Sequence, residues 1–252
     1  MKFLRYEYHH DISSGVLSQG EVKKISGDYL GTWTYTGDSY SLEEVKLLSP
    51  ISPNKIIGIG ANFVQELAEL PKEPADIPVF FFKPSTSVIG PKDEIIIPQG
   101  INEVKFESEL AIVIGKTCKH IQADNALDYV FGYTIGNDIT APQFFREDGH
   151  WTIGKAFDTF TPIGPFIETD IELSALYVKS EVNGIEKQNS STNLMIMSVK
   201  EIIAYLSNVM TLLPGDVILT GSPIGAEFVG AGNIIECKID EIGILQNTVI
   251  KS

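Results

Sequence analysis

The sequence predicts a mixed α+β fold dominated by β-structure, and three observations carry that expectation. Most apolar stretches have strand length, about 4–8 residues, and end at Gly, Pro, Ser or Asn. A single segment, residues 198–210, keeps a helical apolar period over several turns. Strands and helices do not alternate regularly, which argues against a doubly wound parallel sheet.

Taken in order, residues 1–8 read as a strand, Ser13-Ser14-Gly15 as a turn, and residues 16–25 and 30–35 as further strands. Ser49-Pro50-Ile51-Ser52-Pro53-Asn54 reads as a hinge. It divides the chain into a small N-terminal β-rich subdomain, residues 1–52, and a main domain, residues 53–252. Residues 56–59 form a strand entering Gly60-Ala61-Asn62, and residues 63–69 a short helix. Strands follow at 78–83 and 93–97, then a short helix at 124–130. In the segment 198–210, Ser198 and Glu201 form a capping box, and Ile202, Ile203, Leu206, Val209 and Met210 mark one apolar face. Leu213-Pro214-Gly215-Asp216 turns into a strand at 217–220, and a hairpin over 233–240 and 244–250 closes the chain.

The chain has 252 residues, enough for one large domain or a large domain with an appendage. Its formal charge of −14 disfavours a nucleic acid or an anionic membrane as partner, since either demands a basic face. Cys118 and Cys237 are too few for a disulfide framework or a thiolate zinc site and read as small buried hydrophobes. The N-terminus lacks the apolar core of a signal peptide and no stretch approaches the ~20 residues of a membrane span, so a cytoplasmic protein is expected. The glycines around 60 and 221–225 spell no phosphate-binding signature.

The chemistry concentrates in Lys105-Phe106-Glu107-Ser108-Glu109-Leu110-Ala111-Ile112-Val113-Ile114. A segment ending in Ala-Ile-Val-Ile is built for burial, where ionised carboxylates rarely go without a partner. Positions i and i+2 of a strand share a face roughly 6–7 Å apart, so Glu107 and Glu109 can lean toward one hard cation such as Mg²⁺ or Mn²⁺. The same pattern also fits the wet face of a half-exposed strand.

From Lys55 onward the chain resembles the fumarylacetoacetate hydrolase family in its short bacterial and archaeal form. The resemblance rests on linked blocks in the family's order: Gly58-Ile59-Gly60-Ala61-Asn62-Phe63, Phe82-Lys83-Pro84-Ser85, Phe106-Glu107-Ser108-Glu109-Leu110-Ala111, Gly132-Tyr133-Thr134-Ile135-Gly136-Asn137-Asp138, Gly154-Lys155-Ala156-Phe157-Asp158-Thr159 and Pro214-Gly215-Asp216-Val217-Ile218-Leu219-Thr220-Gly221-Ser222-Pro223. It implies a mixed β-roll around a central pocket, a homodimer, and a divalent metal held by Glu107, Glu109 and Asp138. Lys155 matches the family's active-site lysine, Lys83 and Ser85 are expected to contact substrate, and Ser222 stands where the family usually has a threonine that binds a substrate carboxylate. Without the resemblance, Asp138 also reads as a loop cap and Lys155 as a surface lysine.

Two departures stand out. Where many relatives carry a water-activating His and Glu on a lid helix, this chain has Glu66 and Glu69. They are candidate acid–base residues or simply an acidic solvated face. Where the family commonly supplies Arg and Gln after its Asn-Asp block, Pro142 and Phe145 occur, leaving Arg146 and His150 as the nearest replacements for binding substrate. The expected function is therefore a metal-dependent enzyme acting on a small 2-oxo or 1,3-dioxo acid by C–C hydrolysis, decarboxylation or keto–enol isomerisation through a metal-bound enolate. The alternative is a catalytically impaired family member that binds metal and small acids.

Overall fold

The computed structural model describes residues 1–72, 78–147 and 149–252. Its centre is one large mixed sheet. Along the main path the strands run Trp33–Ser41, Glu21–Gly27, Asp11–Ser18, Lys2–Tyr8, Thr161–Glu168, Val130–Asn137, Ser108–Ile114, Val217–Leu219, Ile56–Ile59 and Phe80–Lys83. A second sheet of five strands contains Tyr177–Val182, Ile185–Ser191, Ile234–Ile239, Gly243–Lys251 and Glu94–Ile97. The N-terminal meander continues directly into the large sheet, because Lys2 and Phe3 pair antiparallel with Glu168 and Ile167. The result is the β-dominated α+β fold expected.

The strand Ser108–Ile114 explains why the sheet is buried. Leu110, Ile112 and Ile114 point into the larger apolar cluster, while Ala111 and Val113 enter a second cluster with Phe3, Val16 and Ile25. Both faces are covered, so the continuous apolar run suits a central strand. Truncating Ile112, which is fully buried, to Ala would cost about 2–5 kcal/mol.

The helix forms as Val199–Val209, with Met210 as its C-cap and Val209, expected on the apolar face, 50% exposed. Ser198 and Glu201 make the reciprocal capping box, and Ile202, Ile203 and Leu206 are buried in the main core. The C-terminal hairpin also forms, as Ile234–Ile239 and Gly243–Lys251. Among the described residues, no helix is long and apolar enough to cross a membrane. Cys118 and Cys237 are buried free thiols.

Several local expectations are corrected, among them the strand at 30–35, which begins only at Trp33 and runs to Ser41. Ser13-Ser14-Gly15 lies within the strand Asp11–Ser18, where Gly15 sits opposite Leu4 and a Cβ would come 2.8 Å from Val22 Cγ1. The chain turns instead at His9-His10 (φ 49° and 69°) and Gln19-Gly20 (φ 54° and 82°), so the predicted strand 16–25 is two strands. The expected helix at 63–69 is only the 3₁₀ turn Leu67–Glu69. Its first residues are held extended: Phe63 bridges Met195, and the Val64 N–H donates to the Leu194 carbonyl at 3.1 Å. The predicted helix at 124–130 is a 3₁₀ segment, Ala123–Tyr129.

Candidate metal centre and active site

The end of one strand pair assembles the carboxylates. Ser108–Ile114 runs antiparallel to Val130–Asn137, with Ser108 opposite Asn137 and Glu109 opposite Gly136. Just past the last pair, the Asp138 N–H donates to the Glu107 carbonyl at 2.9 Å, and the Asn137 side-chain Oδ1 accepts the Glu107 N–H at 3.0 Å. This lock brings one carboxylate oxygen from each of Glu107, Glu109 and Asp138 within 4.8 Å of one another. Glu109 and Asp138 are 2% and 1% exposed, which rules out a wet strand face for Glu109.

Each carboxylate has identifiable partners. Glu109 Oε2 accepts the Gly221 N–H at 2.6 Å. Gly221 has φ +97°, and a Cβ there would lie 2.7 Å from Asn62 Cβ, so the loop can deliver its N–H only as glycine. Lys155 Nζ donates to Glu107 Oε2 at 2.7 Å and also to Asp138 Oδ2. Lys105 Nζ lies 3.3 Å from Glu107 Oε1, and Thr140 Oγ1 donates to Glu107 Oε2 at 3.1 Å. Lys83 Nζ donates to Asp138 Oδ1 at 2.5 Å and to the Ile139 carbonyl at 3.1 Å.

These contacts set the charge states. Burial raises the Glu109 carboxyl well above its ordinary range, and the charges of Asp138 and Glu107 add to the rise. Burial also opposes ionisation of Asp138, but Lys155 and Lys83 outweigh it and hold that carboxyl low. Lys155 is 3% exposed, yet Asp138 and Glu107 overcome its burial and hold its ammonium charged above the usual lysine range. Burial lowers the Lys83 ammonium, with Asp138 pulling the other way.

The donor set fits a hard divalent cation. It is three carboxylates with no thiolate or imidazole, and the buried Glu109 bears the repulsion that a cation would relieve.

The carboxylates open onto a cavity of about 570 Å³. Lys105, Thr140, Lys155 and Ser222 line it together with Phe81, Pro142, Phe145, Trp151 and Ile224. Lys155 sits on the helical turn Thr152–Lys155, its Nζ 4.7 Å from the Phe81 ring centroid. Ser222 Oγ accepts the Gln188 Nε2–H at 2.7 Å.

The other expected residues lie elsewhere. Lys83 is buried behind Asp138, outside the cavity lining. Glu66 and Glu69 are exposed and also outside it; Glu69 Oε2 accepts the backbone N–H groups of Gln65 and Glu66 at 2.9 and 3.3 Å. Ser85 borders a separate depression with Arg5 and Ser49. Arg146 is exposed and its N–H donates to the His150 carbonyl at 3.2 Å, while His150 lines a smaller cleft on another side of Trp151.

Further residues at the site escaped the sequence reading. Lys105 and Thr140 had a signal, since each stands two residues from a carboxylate of the cluster. Gln188 and Phe81 had none, because Gln188 meets Ser222 and Phe81 meets Trp151 only through the fold.

The comparisons agree with this geometry. The fumarylacetoacetate (FAA) hydrolase C-terminal family matches residues 55–250, and the Rv2993c-like N-terminal family matches residues 1–50. The oxaloacetate tautomerase fahd2 of Xenopus laevis is 41% identical, over 83% of this chain and 70% of that protein. The crystal structure of 5-carboxymethyl-2-hydroxymuconate delta-isomerase from Mycobacterium smegmatis superposes over 100% of both chains with a TM-score of 0.93 and 38% identity. The maleylpyruvate hydrolase of Sphingobium sp. SYK-6, solved with manganese(II) and pyruvate, superposes over 100% of both chains with a TM-score of 0.83 and 29% identity. The acidic cluster and this homology support enzymatic activity and are consistent with the family's metal-dependent chemistry on small oxo acids. On fold, sequence and site together, the chain belongs to the fumarylacetoacetate hydrolase family.

Proposed function

We propose that the protein is a Mg²⁺- or Mn²⁺-dependent enzyme that interconverts the keto and enol forms of a small 2-oxo or 1,3-dioxo acid by proton transfer, or decarboxylates it with loss of CO₂, rather than hydrolysing it. The observation that carries this reading is the convergence of Glu107, Glu109 and Asp138 beside the charged, buried Lys155. Glu107, Glu109 and Asp138 would hold the cation, which when bound supplies Lewis-acid polarisation of a chelating oxo acid. In the metal-free protein Asp138 and Glu107 hold the Lys155 ammonium charged, and its Nζ would hold an anionic oxygen of the substrate.

Ser222 is set up as a donor. Gln188 Oε1 accepts the Ser108 N–H at 3.2 Å, which fixes the amide so that Nε2 points at Ser222 Oγ and the Pro223 carbonyl, each at 2.7 Å. Ser222 Oγ therefore accepts from Gln188, and its own proton, held only by the Pro223 carbonyl at 3.4 Å, can turn to a ligand carboxylate. Hydrolysis would need a base to activate water, and the candidates Glu66 and Glu69 are exposed, outside the cavity lining. The tautomerase activity of the Xenopus relative supports the keto–enol reading, and the manganese and pyruvate in the Sphingobium hydrolase structure support the metal and the oxo-acid head.

The test is a panel of acylpyruvates, oxaloacetate and unsaturated 2-hydroxy diacids with Mg²⁺ or Mn²⁺, followed by enol absorbance and by product analysis. Metal-dependent enol–keto conversion or decarboxylation, abolished by chelator, is expected. Loss of no substrate and no change of enol lifetime would return the protein to the binding-only alternative. The molecule is further proposed to work as a homodimer, a reading supported by family membership. Light scattering should give twice the 27.7 kDa chain mass, and the single-chain mass would refute it.

A further inference from the structure

Three aromatic rings form a continuous wall in the cavity. The Phe81 centroid lies 5.9 Å from that of Trp151 at 63°, and Phe145 stacks on Trp151 at 5.6 Å and 14°. The wall begins beside the carboxylate cluster, because Phe81 is also the ring under the Lys155 ammonium. Each ring is seated on a glycine. A Cβ at Gly58 would lie 2.3 Å from Phe81, one at Gly60 2.8 Å from Trp151, and one at Gly154 2.6 Å from Phe145. The rings are only half-buried, so they face the cavity rather than filling the core.

The polar groups do not extend along this wall. Among the described lining residues, the cationic side chains are Lys105 and Lys155, and both are held at Glu107. Pro142 contributes no donor next to the wall. A second substrate carboxylate against these rings would lose water without gaining a cation and would meet the negative faces of the rings. An aryl or branched alkyl group there would instead bury apolar surface and gain ring contacts.

We propose that the substrate is a 2-oxo or 2,4-dioxo acid carrying an apolar tail, preferably aromatic, rather than a second carboxylate. This rests on the functional reading above, in which the oxo-acid head binds at the carboxylate cluster. It assigns Phe81, Phe145 and Trp151 as the residues that determine tail specificity.

The experiment uses three ligands that share a head and do not turn over: oxamate, N-benzyloxamate and N-oxalylglycine. The last two differ only in phenyl against carboxylate on the same methylene. Binding to the Mn²⁺-loaded protein is measured by calorimetry. It is also followed by tryptophan emission in a Trp33→Phe variant, which leaves Trp151 as the reporter of the wall. N-Benzyloxamate should bind at least about tenfold more tightly than N-oxalylglycine and perturb Trp151 emission. Pro142→Arg with Phe145→Gln should shrink that preference by about tenfold or more. Should the double variant fail to fold, the wild-type preference and the Trp151 signal still decide the matter. If oxamate binds but N-oxalylglycine equals or beats N-benzyloxamate, the tail assignment alone is overturned. If oxamate itself does not bind, the functional reading fails and the tail assignment falls with it.

Discussion

Lys83 offers the most quantitative prediction, because its side chain is 0% exposed and its ammonium makes a direct ion pair with Asp138. Lys83→Met keeps the stem in place but removes the ammonium and leaves Asp138 Oδ1 without its 2.5 Å partner. Breaking a buried ion pair from one side costs about 3–5 kcal/mol. The lower end applies, because Asp138 keeps Lys155 and the variant no longer desolvates a lysine. At roughly 2 °C per kcal/mol for a chain of this size, the metal-free protein should melt about 6 °C lower. Saturating Mn²⁺ should recover part of that loss, since a bound cation restores positive charge opposite Asp138. Thermal melts with chelator and with metal measure both effects. An unchanged or raised melting temperature in the metal-free variant would refute the claim that Lys83 anchors Asp138.

Two more predictions follow from the same contacts. Glu109 has a folded-state pKa raised above its ordinary 4.5, so in the metal-free protein its contribution is fully present below about that pH and is lost as pH rises through the folded value. Metal must displace that proton; calorimetry in buffers of different ionisation enthalpy should show about one proton released in this window, and none released would count against the site. Gln188→Leu should weaken oxalate binding about tenfold by freeing the Ser222 hydroxyl to rotate, and Gln188→Glu, whose second oxygen would accept the Ser222 proton instead of donating to Oγ, should lose at least as much. Equal oxalate affinity in both variants and wild type would exclude that positioning role.

How much was readable in advance depended on sequence distance. The Glu107–Glu109 pair announced itself because carboxylates preceding an apolar run need a reason, and strand periodicity gave their shared direction. Asp138 and Lys155 entered through resemblance alone, since nothing local says that these segments meet. The capping box at Ser198 is a contact over three residues and was legible as written. Gln188, by contrast, reaches Ser108 across 80 residues and Ser222 across 34, and no spacing rule points to it. The turn misread at Ser13-Ser14-Gly15 shows the opposite failure. Turn-prone residues were taken at face value, whereas Gly15 serves close packing and the positive-φ turn falls on two histidines. Pro142 and Phe145 were visible only as missing polar groups, whereas in the fold Phe145 stacks on Trp151, which meets Phe81.

The central claim is that Glu107, Glu109 and Asp138 hold one hard divalent cation. Titrating Mn²⁺ into wild type and Glu109→Ala, read by calorimetry and by the loss of free Mn²⁺ resonance signal, tests it most directly. One strong site per chain is predicted for wild type, weakened at least about tenfold by removal of the buried carboxylate. Equal affinity in the two proteins, or no strong site in wild type, would contradict it.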